Sequence, residues 1–206
     1  MSSKIRDPQS QPRPRGRPRG FEPVAALEAA MKVFWREGYE GASIDRLARE
    51  TDMPRATLYQ VYGDKEGLFL AAVEHYADTR AARVASALGP SGALRQDLDA
   101  FFAAVIDLAT SDPEARGCLI SCVLADAAGA NLRFRSELDR RFLALEHCIG
   151  ARLETESFQT GDIAGRAIMI ASIARGLMLR ARAGAGRDLL EKAAAEAVRM
   201  LSPQSH

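Results

Sequence analysis

The side chains best suited to recognising another molecule lie together in one short segment. Arg55 and Gln60 carry planar groups that form paired hydrogen bonds with guanine and adenine, respectively, in the major groove of DNA. Thr57 and Tyr59 carry hydroxyl groups, which suit phosphate oxygens. Lys65 follows directly after them, where a cation would meet the phosphate backbone. This set of residue types predicts contact with double-stranded DNA.

Two short helices joined by a tight turn must position these side chains. Periodicity predicts helices over residues 43–51 and 54–62, and Ser43 is a favourable N-cap for the first of them. Asp52 and Met53 form the break, where aspartate tolerates left-handed backbone geometry. Two helices of this size and spacing predict a helix-turn-helix. In that motif the second helix enters the major groove while the first braces it across the backbone.

The remainder of the chain continues the helical pattern. Apolar residues recur at helical spacing, alanine is abundant, and no alternating pattern of useful length indicates a β-strand. The chain is therefore predicted to be all-α with about nine helices. They are placed near residues 23–38, 43–51, 54–62, 64–88, 92–110, 117–129, 132–156, 162–183 and 187–201.

The N-terminal residues differ in composition from everything that follows. Residues 1–20 hold six basic side chains and one aspartate, although the whole chain has a net charge of only +1. They are rich in Pro, Gly and Ser, which predicts a flexible arm. Its Arg15 and Arg17, flanked by prolines, are suited to a narrow minor groove of DNA. The alternative is a solvated tail with no specific partner.

Composition excludes several classes of protein. With 206 residues, 47% hydrophobic and 27% charged, the chain can bury a core of ordinary size. It lacks the run of about 20 apolar residues that a membrane span needs, and no secretory signal is recognised. Three cysteines are too few for a disulfide framework, so a cytoplasmic protein is expected.

An enzyme is not expected either. The sequence shows no glycine-rich phosphate-binding loop, no paired metal-ligand histidines and no convincing Ser/His/Asp set. No cofactor, metal ion or catalytic residue is therefore predicted. A helical protein that binds DNA without sequence preference through its basic arm remains open as an alternative.

A series of short motifs between residues 15 and 70 is specific in combination. They are Gly16-Arg17-Pro18, Phe21, Ala26-Leu27, Phe34-Trp35, Gly38-Tyr39, Ser43-Ile44-Asp45-Arg46-Leu47-Ala48, Thr57-Leu58-Tyr59 and Asp64-Lys65-Glu66-Gly67-Leu68. Together they resemble the DNA-binding domain of the tetracycline-repressor (TetR) family. The resemblance implies a DNA-binding domain over 21–65 after the arm of 1–20, and a ligand-binding and dimerisation domain over 66–206.

The resemblance also assigns roles to single residues. The bases would be read by Arg55, Ala56 and Gln60, whereas the phosphates would be contacted by Ser43, Thr57, Tyr59 and Lys65. The turn departs from the family pattern, because Thr51-Asp52-Met53-Pro54 stands where Ala-Gly-Val-Ser is usual. Pro54 lacks the backbone donor and the serine hydroxyl that the family has at this place.

The last two predicted helices are apolar on most sides. Ala164, Ala167, Ala171 and Ala174 form a stripe of small residues along 162–183, with isoleucines around it. Such helices, two from each chain, could build a four-helix bundle, and the resemblance implies a homodimer formed in this way. The alternative is that both helices only complete the core of one subunit.

The resemblance further implies a cavity for a small effector within residues 66–160. Few charged residues fall among the candidates for its lining, so a largely apolar effector of unknown identity is expected. The candidates for its lining are Phe101, Phe102, Val105, Leu119, Leu124, Val123, Phe134, Phe142 and Leu145. The alternative for each of them is ordinary core packing, which apolar residues of these types favour. The predicted function is that of a transcriptional regulator, in the family's usual mode a repressor, which its effector releases from a palindromic operator.

Cys118 and Cys122 offer a second mode of regulation. They are four residues apart and therefore share one helix face, and a Gly-Cys-Leu motif recurs in one branch of the family. Some members of that branch sense electrophiles, oxidants or copper through cysteine. Two thiolates could hold Cu(I), or Arg116 could lower the pKa of one thiol. The alternative is that these cysteines are buried and only pack.

Overall fold

The computed structural model describes residues 23–90, 92–155 and 162–202, which contain nine continuous helices and no β-strand. The predicted all-α fold is confirmed over these ranges. The helices are α1 (Pro23–Gly41), α2 (Ile44–Glu50), α3 (Arg55–Tyr62), α4 (Lys65–Tyr76, a π-helical turn Ala77–Ala81, and Ala82–Ser86), α5 (Leu94–Thr110), α6 (a π-helical segment Leu119–Leu124, then Ala125–Ala127), α7 (Leu132–Glu154), α8 (Ile163–Arg182) and α9 (Arg187–Leu201).

Local signals in the sequence set the first three helices. The Ser43 hydroxyl oxygen accepts a hydrogen bond from the Arg46 amide at 3.2 Å and caps α2. Asp52 has a φ of 53°, which is the left-handed geometry expected at the turn between α2 and α3. Pro54 is the N-cap of α3 rather than its first residue. Gly38 has a φ of 76° and kinks α1 where the sequence predicted its end.

An aromatic cluster joins the N-terminal helices to the rest of the molecule. The rings of Phe34 in α1 and Phe69 in α4 lie 4.9 Å apart, and both side chains are fully buried. Phe134 from α7 packs edge-on against Phe69 at 5.1 Å and against Tyr39 at 4.9 Å. Aromatic pairs in this geometry add to the free energy gained by burial. The cluster fixes α4 between the first helices and α7.

The fourth helix is long, as predicted, but it is not uniform. Its middle turn, Ala77–Ala81, is π-helical, and the first turn of α6 is π-helical as well. A π-helical turn accommodates one additional residue and often lies at a functional site. Both segments border the same cavity.

The alanine stripe of α8 is used within the subunit. Ala167, Ala171 and Ala174 are buried, and Ala164 is exposed. The packing of α7 against α8 is extensive. The stripe therefore does not supply the free face of the helix. Within the described ranges, no helix is long and apolar enough to cross a bilayer.

Candidate nucleic-acid interface and ligand cavity

The surface of α3 presents the residues that the sequence analysis selected. Arg55, Ala56, Tyr59 and Gln60 are exposed, whereas Leu58 is buried and anchors the helix. Tyr59 is 46% exposed, which argues against a place in the core. Thr57, also selected, is half-buried. The structure thus brings most of the selected residues of α3 to solvent. Arg15 and Arg17 lie outside the described residues.

An ion pair crosses the helix-turn-helix. Arg55 of α3 pairs with Asp45 of α2, and both side chains remain more than half exposed. Asp45 lies two residues after the N-cap Ser43, which is itself exposed. The Ser43 hydroxyl accepts from a backbone amide, and its own hydrogen remains available to donate. The pair of Asp45 with Arg55 was not predicted, because only the angle between the two helices reveals it.

Lys65 is held close to the protein surface. Its Nζ lies 4.5 Å from the centre of the Tyr39 ring and donates a hydrogen bond to the Glu40 carbonyl oxygen at 3.4 Å. Burial lowers the pKa of Lys65, and the Glu40 carboxylate acts against that shift. The predicted phosphate contact would therefore use an ammonium group that is already oriented.

The beginning of α4 is tied to α7. Glu66 accepts hydrogen bonds from the Asn131 side-chain amide at 2.7 Å and from Arg133 at 3.3 Å. Asn131 also caps α7 by accepting from the Phe134 amide at 3.2 Å. The same residue thus caps one helix and holds another. This contact was not predicted, although Asn131 just before a predicted helix start could have indicated the cap.

A cavity of about 200 Å³ lies between α4, α5, α6, α7 and α8. Val105 and Phe142, together with Leu145, belong to its lining as expected. The remaining candidates do not line it and instead lie buried in the surrounding core. They are Phe101, Phe102, Leu119, Val123, Leu124 and Phe134. The core and the wall of a cavity contain the same apolar residue types, so the sequence alone could not distinguish lining residues from core residues.

Two arginines that the sequence analysis overlooked also line the cavity. Arg141 donates from Nε to Glu137 at 2.6 Å and forms an ion pair with Glu74 of α4. Arg175 donates to Glu146 at 2.8 Å, and its guanidinium lies 3.7 Å from the centre of a neighbouring aromatic ring, that of Phe142. Burial alone would raise the pKa of Glu137, but its hydrogen bonds to two arginines lower it overall.

The cysteine pair has the features of packed thiols. Cys118 is buried, and its sulfur accepts a hydrogen bond from the Ser121 amide at 3.5 Å. Burial raises the pKa of Cys122, which opposes thiolate formation. Arg116 donates to the Ala185 carbonyl oxygen at 2.5 Å. In the part of the chain that the structure describes, no cluster of three or more His, Cys, Asp or Glu residues could hold a metal ion.

The last two helices each leave large apolar side chains uncovered. On α8 they are Ile168, Met169 and Leu179, each about half exposed. On α9 they are Leu189 and Met200. A face of this kind on a water-soluble helix pair usually marks a contact with another molecule.

Comparison with known proteins places the chain in a family. The model of the bacterial regulatory proteins of the tetR family matches residues 26–72, which include α2 and α3. The HTH-type transcriptional repressor ComR of Escherichia coli (strain K12) is 33% identical over 193 residues, covering 90% of this chain and 91% of ComR.

Solved structures agree with this assignment. The regulator CifR, as a cysteine mutant complexed with 26-base-pair operator DNA, superposes with a TM-score of 0.81 and 27% identity over 89% of this chain and 98% of CifR. Reduced NemR of E. coli shares the fold with a TM-score of 0.75 at 18% identity, over 88% of this chain and 97% of NemR. The chain belongs to the TetR family of bacterial transcriptional regulators.

Proposed function

We propose that this protein is a transcriptional repressor that binds a palindromic operator as a homodimer and is released by a small, largely apolar effector. The observation that carries the proposal is the exposed face of α3, where Arg55, Tyr59 and Gln60 point away from a buried Leu58. The similarity to CifR, whose structure was determined with operator DNA, supports the same use of this face.

Roles within the interface follow from chemistry and position. Arg55 and Gln60, with Ala56 between them, would read base edges in the major groove. Ser43, Thr57, Tyr59 and Lys65 would contact phosphates and set the register of α3. In the arm of residues 1–20, Arg15 and Arg17 would reach the adjacent minor groove. Residues 21–65 would form the DNA-binding domain, and residues 66–206 would bind the effector and the second subunit.

The homodimer would form through the uncovered apolar face of α8 and α9. Ile168, Met169 and Leu179 would belong to a patch that both copies contribute, as a two-fold interface requires. Two copies of α3 would then reach half-sites one helical turn apart, about 34–36 Å, or a multiple of that spacing. A protein of this kind would act in the cytoplasm, where its operator is.

The effector would occupy the cavity of about 200 Å³ beside the π-helical turn of α4. It can change operator affinity only by binding one conformation of the protein better than the other. The thiol-sensing alternative has weaker support, since burial raises the pKa of Cys122 and so opposes formation of its thiolate, although Cys118 lines the same cavity.

Selection of DNA from a random pool tests the proposal. The purified full chain should enrich one palindrome, protect it in a footprint, and retain it against an excess of random DNA by orders of magnitude. A protein that binds through its basic arm alone would enrich no sequence, and its binding would be lost to random competitor. That result would contradict the proposal.

A further inference from the structure

The cavity between α4 and α8 combines apolar surface with positive charge. Arg141 and Arg175 contribute guanidinium groups to its wall, and the described lining includes no acidic side chain. The other lining residues are apolar or carry only a hydroxyl, thiol or thioether group. Arg141 is 11% exposed, so an added charge would meet it in surroundings that screen less than water. A ligand that matches this wall has an apolar body and one negative charge.

The carboxylates that pair with Arg141 stand outside the lining. Glu137 accepts from its Nε and is largely buried, whereas Glu74, paired with the Nη2 group, is 53% exposed. The hydrogen bonds from Arg141 to described carboxylates use its Nε and Nη2 groups. Arginine has five N–H donors, so a further acceptor can be bound. Arg141 can therefore donate to a further acceptor, and water can easily replace its exposed partner Glu74.

The size of the cavity limits the ligand. An apolar cavity of about 150 Å³ is enough to hold benzene. The cavity of about 200 Å³ thus suits one substituted ring or a short alkyl chain. Ala77 and Ala81 of the π-helical turn provide a wall of small side chains against which such a body can pack.

We propose that this cavity binds a small apolar carboxylic acid whose carboxylate pairs with Arg141. That this ligand acts as an effector depends on the repressor function proposed above. The ligand carboxylate would compete with Glu74 for Arg141, and an exposed ion pair such as that of Glu74 is readily given up. Glu74 belongs to α4 and pairs with both Arg140 and Arg141 of α7, so the loss of Arg141 would weaken the contact between these helices and leave the pair with Arg140. The opposite end of α4 carries Lys65 and Glu66, next to the DNA-reading helices.

The test uses the full chain with two acids, benzoate and octanoate, and their uncharged amides. Calorimetric titration and the melting temperature report binding, and fluorescence anisotropy reports release of the selected operator. We expect the acids to bind at least about tenfold more tightly than the amides, because hydrogen bonds to a charged group are stronger. The acids, and not the amides, should weaken operator binding.

Arg141→Met removes the charge and keeps an apolar stem of similar length. Its matched control is Arg140→Met, since Arg140 pairs with the same Glu74 and Glu137 but does not line the cavity. We expect the Arg141 variant to lose acid binding by about tenfold or more and the control to keep it. Arg141→Lys retains the charge for folding and should bind the acids with intermediate affinity.

Equal binding of acids and amides would overturn the proposal. Equal losses of acid binding in the Arg141 and Arg140 variants would also overturn it. So would the absence of any response to either acid at a concentration of about 100 μM, which is about 100 times a micromolar Kd. Operator binding measured in the absence of acid tests the repressor function separately from the ligand class. Intact operator binding with no acid binding refutes the ligand class alone, whereas acid binding without an operator refutes the repressor function alone.

Discussion

Arg55, the first residue of the predicted recognition helix, forms an ion pair with Asp45 of the preceding helix. The pair links α2 to α3 on the face that would meet DNA. Both side chains are more than half exposed, so the pair itself contributes little to stability. To reach a base, Arg55 must exchange the Asp45 carboxylate for a base edge, and Asp45 must lie close to DNA phosphates. Arg55 is therefore expected to affect the specificity of DNA binding, and Asp45 its affinity.

Replacing Arg55 should remove specificity at one position of the operator. A bidentate contact of arginine with guanine contributes about 1–3 kcal/mol of discrimination. We expect Arg55→Ala to weaken operator binding by that amount and to abolish the preference at one base pair per half-site. Affinity for random DNA should change much less. Binding titrations with operators substituted at each position measure the effect, and an unchanged preference at every position would contradict the assignment of Arg55.

Replacing Asp45 should strengthen operator binding, whereas replacing Arg55 should weaken it. Asp45→Asn keeps the size of the side chain but removes a negative charge near the phosphates. It also frees Arg55. We expect operator affinity to rise by up to about 1 kcal/mol, and affinity for random DNA to rise at least as much, so that the ratio of the two falls. The control is Asp188→Asn on α9, which also removes an exposed carboxylate and should leave both affinities unchanged. Weaker operator binding in Asp45→Asn would show that the carboxylate is needed to position Arg55.

Lys65 should contribute affinity without sequence preference. We expect Lys65→Ala to weaken binding to the operator and to random DNA alike, and to reduce the salt dependence of binding by about one unit of slope. Lys65 also lies over the Tyr39 ring, and the loss of that contact would cost about 0.5–1 kcal/mol of folding stability. Titration at several salt concentrations separates the two effects, because lost stability alone would leave the slope unchanged.

The helices were predictable because their signals are local. Ser43 caps α2, Asp52 adopts left-handed geometry, and Gly63 follows the last residue of α3, all of which depend on neighbours in the chain. The exposed face of α3 was predictable for the same reason, since Leu58 and its neighbours follow helical spacing. The family resemblance used the same segment.

Contacts between distant segments were not predictable. Arg141 and Glu74 lie far apart in the sequence and meet only because α4 packs beside α7. The π-helical turn Ala77–Ala81 leaves no trace in an alanine-rich sequence, since one additional residue hardly changes the apolar pattern. Phe134 was expected at the cavity but joins α7 to the N-terminal helices, because an aromatic side chain suits either place.

Stability in acid should depend on Glu137. The hydrogen bonds of Arg140 and Arg141 hold the pKa of Glu137 below its ordinary value of 4.5, against the opposing effect of burial. The stabilisation is therefore complete above about pH 4.5 and is lost as the pH falls through the lowered pKa of the folded state. Glu137→Gln should cost about 1.5–3 kcal/mol at neutral pH.

Urea unfolding at neutral pH and at about pH 3 measures this dependence. The difference between wild type and Glu137→Gln should shrink at the lower pH, since protonation removes the same charge. Glu196→Gln provides the control, because Glu196 and its partner Arg199 are exposed and solvent screens their interaction. A difference in stability that stays constant with pH would show that the ion pairs of Glu137 do not stabilise the fold.

The uncovered face of α8 should hold two subunits together. Ile168 and Met169 lie in the first half of α8, and each leaves about half of its surface exposed. Ile168→Glu would place a negative charge in the interface on each of the two subunits, where it would lose its water. We expect sedimentation to show monomers, and operator binding to fall by orders of magnitude, since only a dimer can engage both half-sites at once.

Leu132→Glu is the matched control, because Leu132 is 74% exposed at the start of α7. That variant should remain dimeric and bind the operator normally. If Ile168→Glu also sediments as a dimer and binds the operator as wild type does, the subunits must associate through a different face, and the spacing of the two copies of α3 has to be derived from that face.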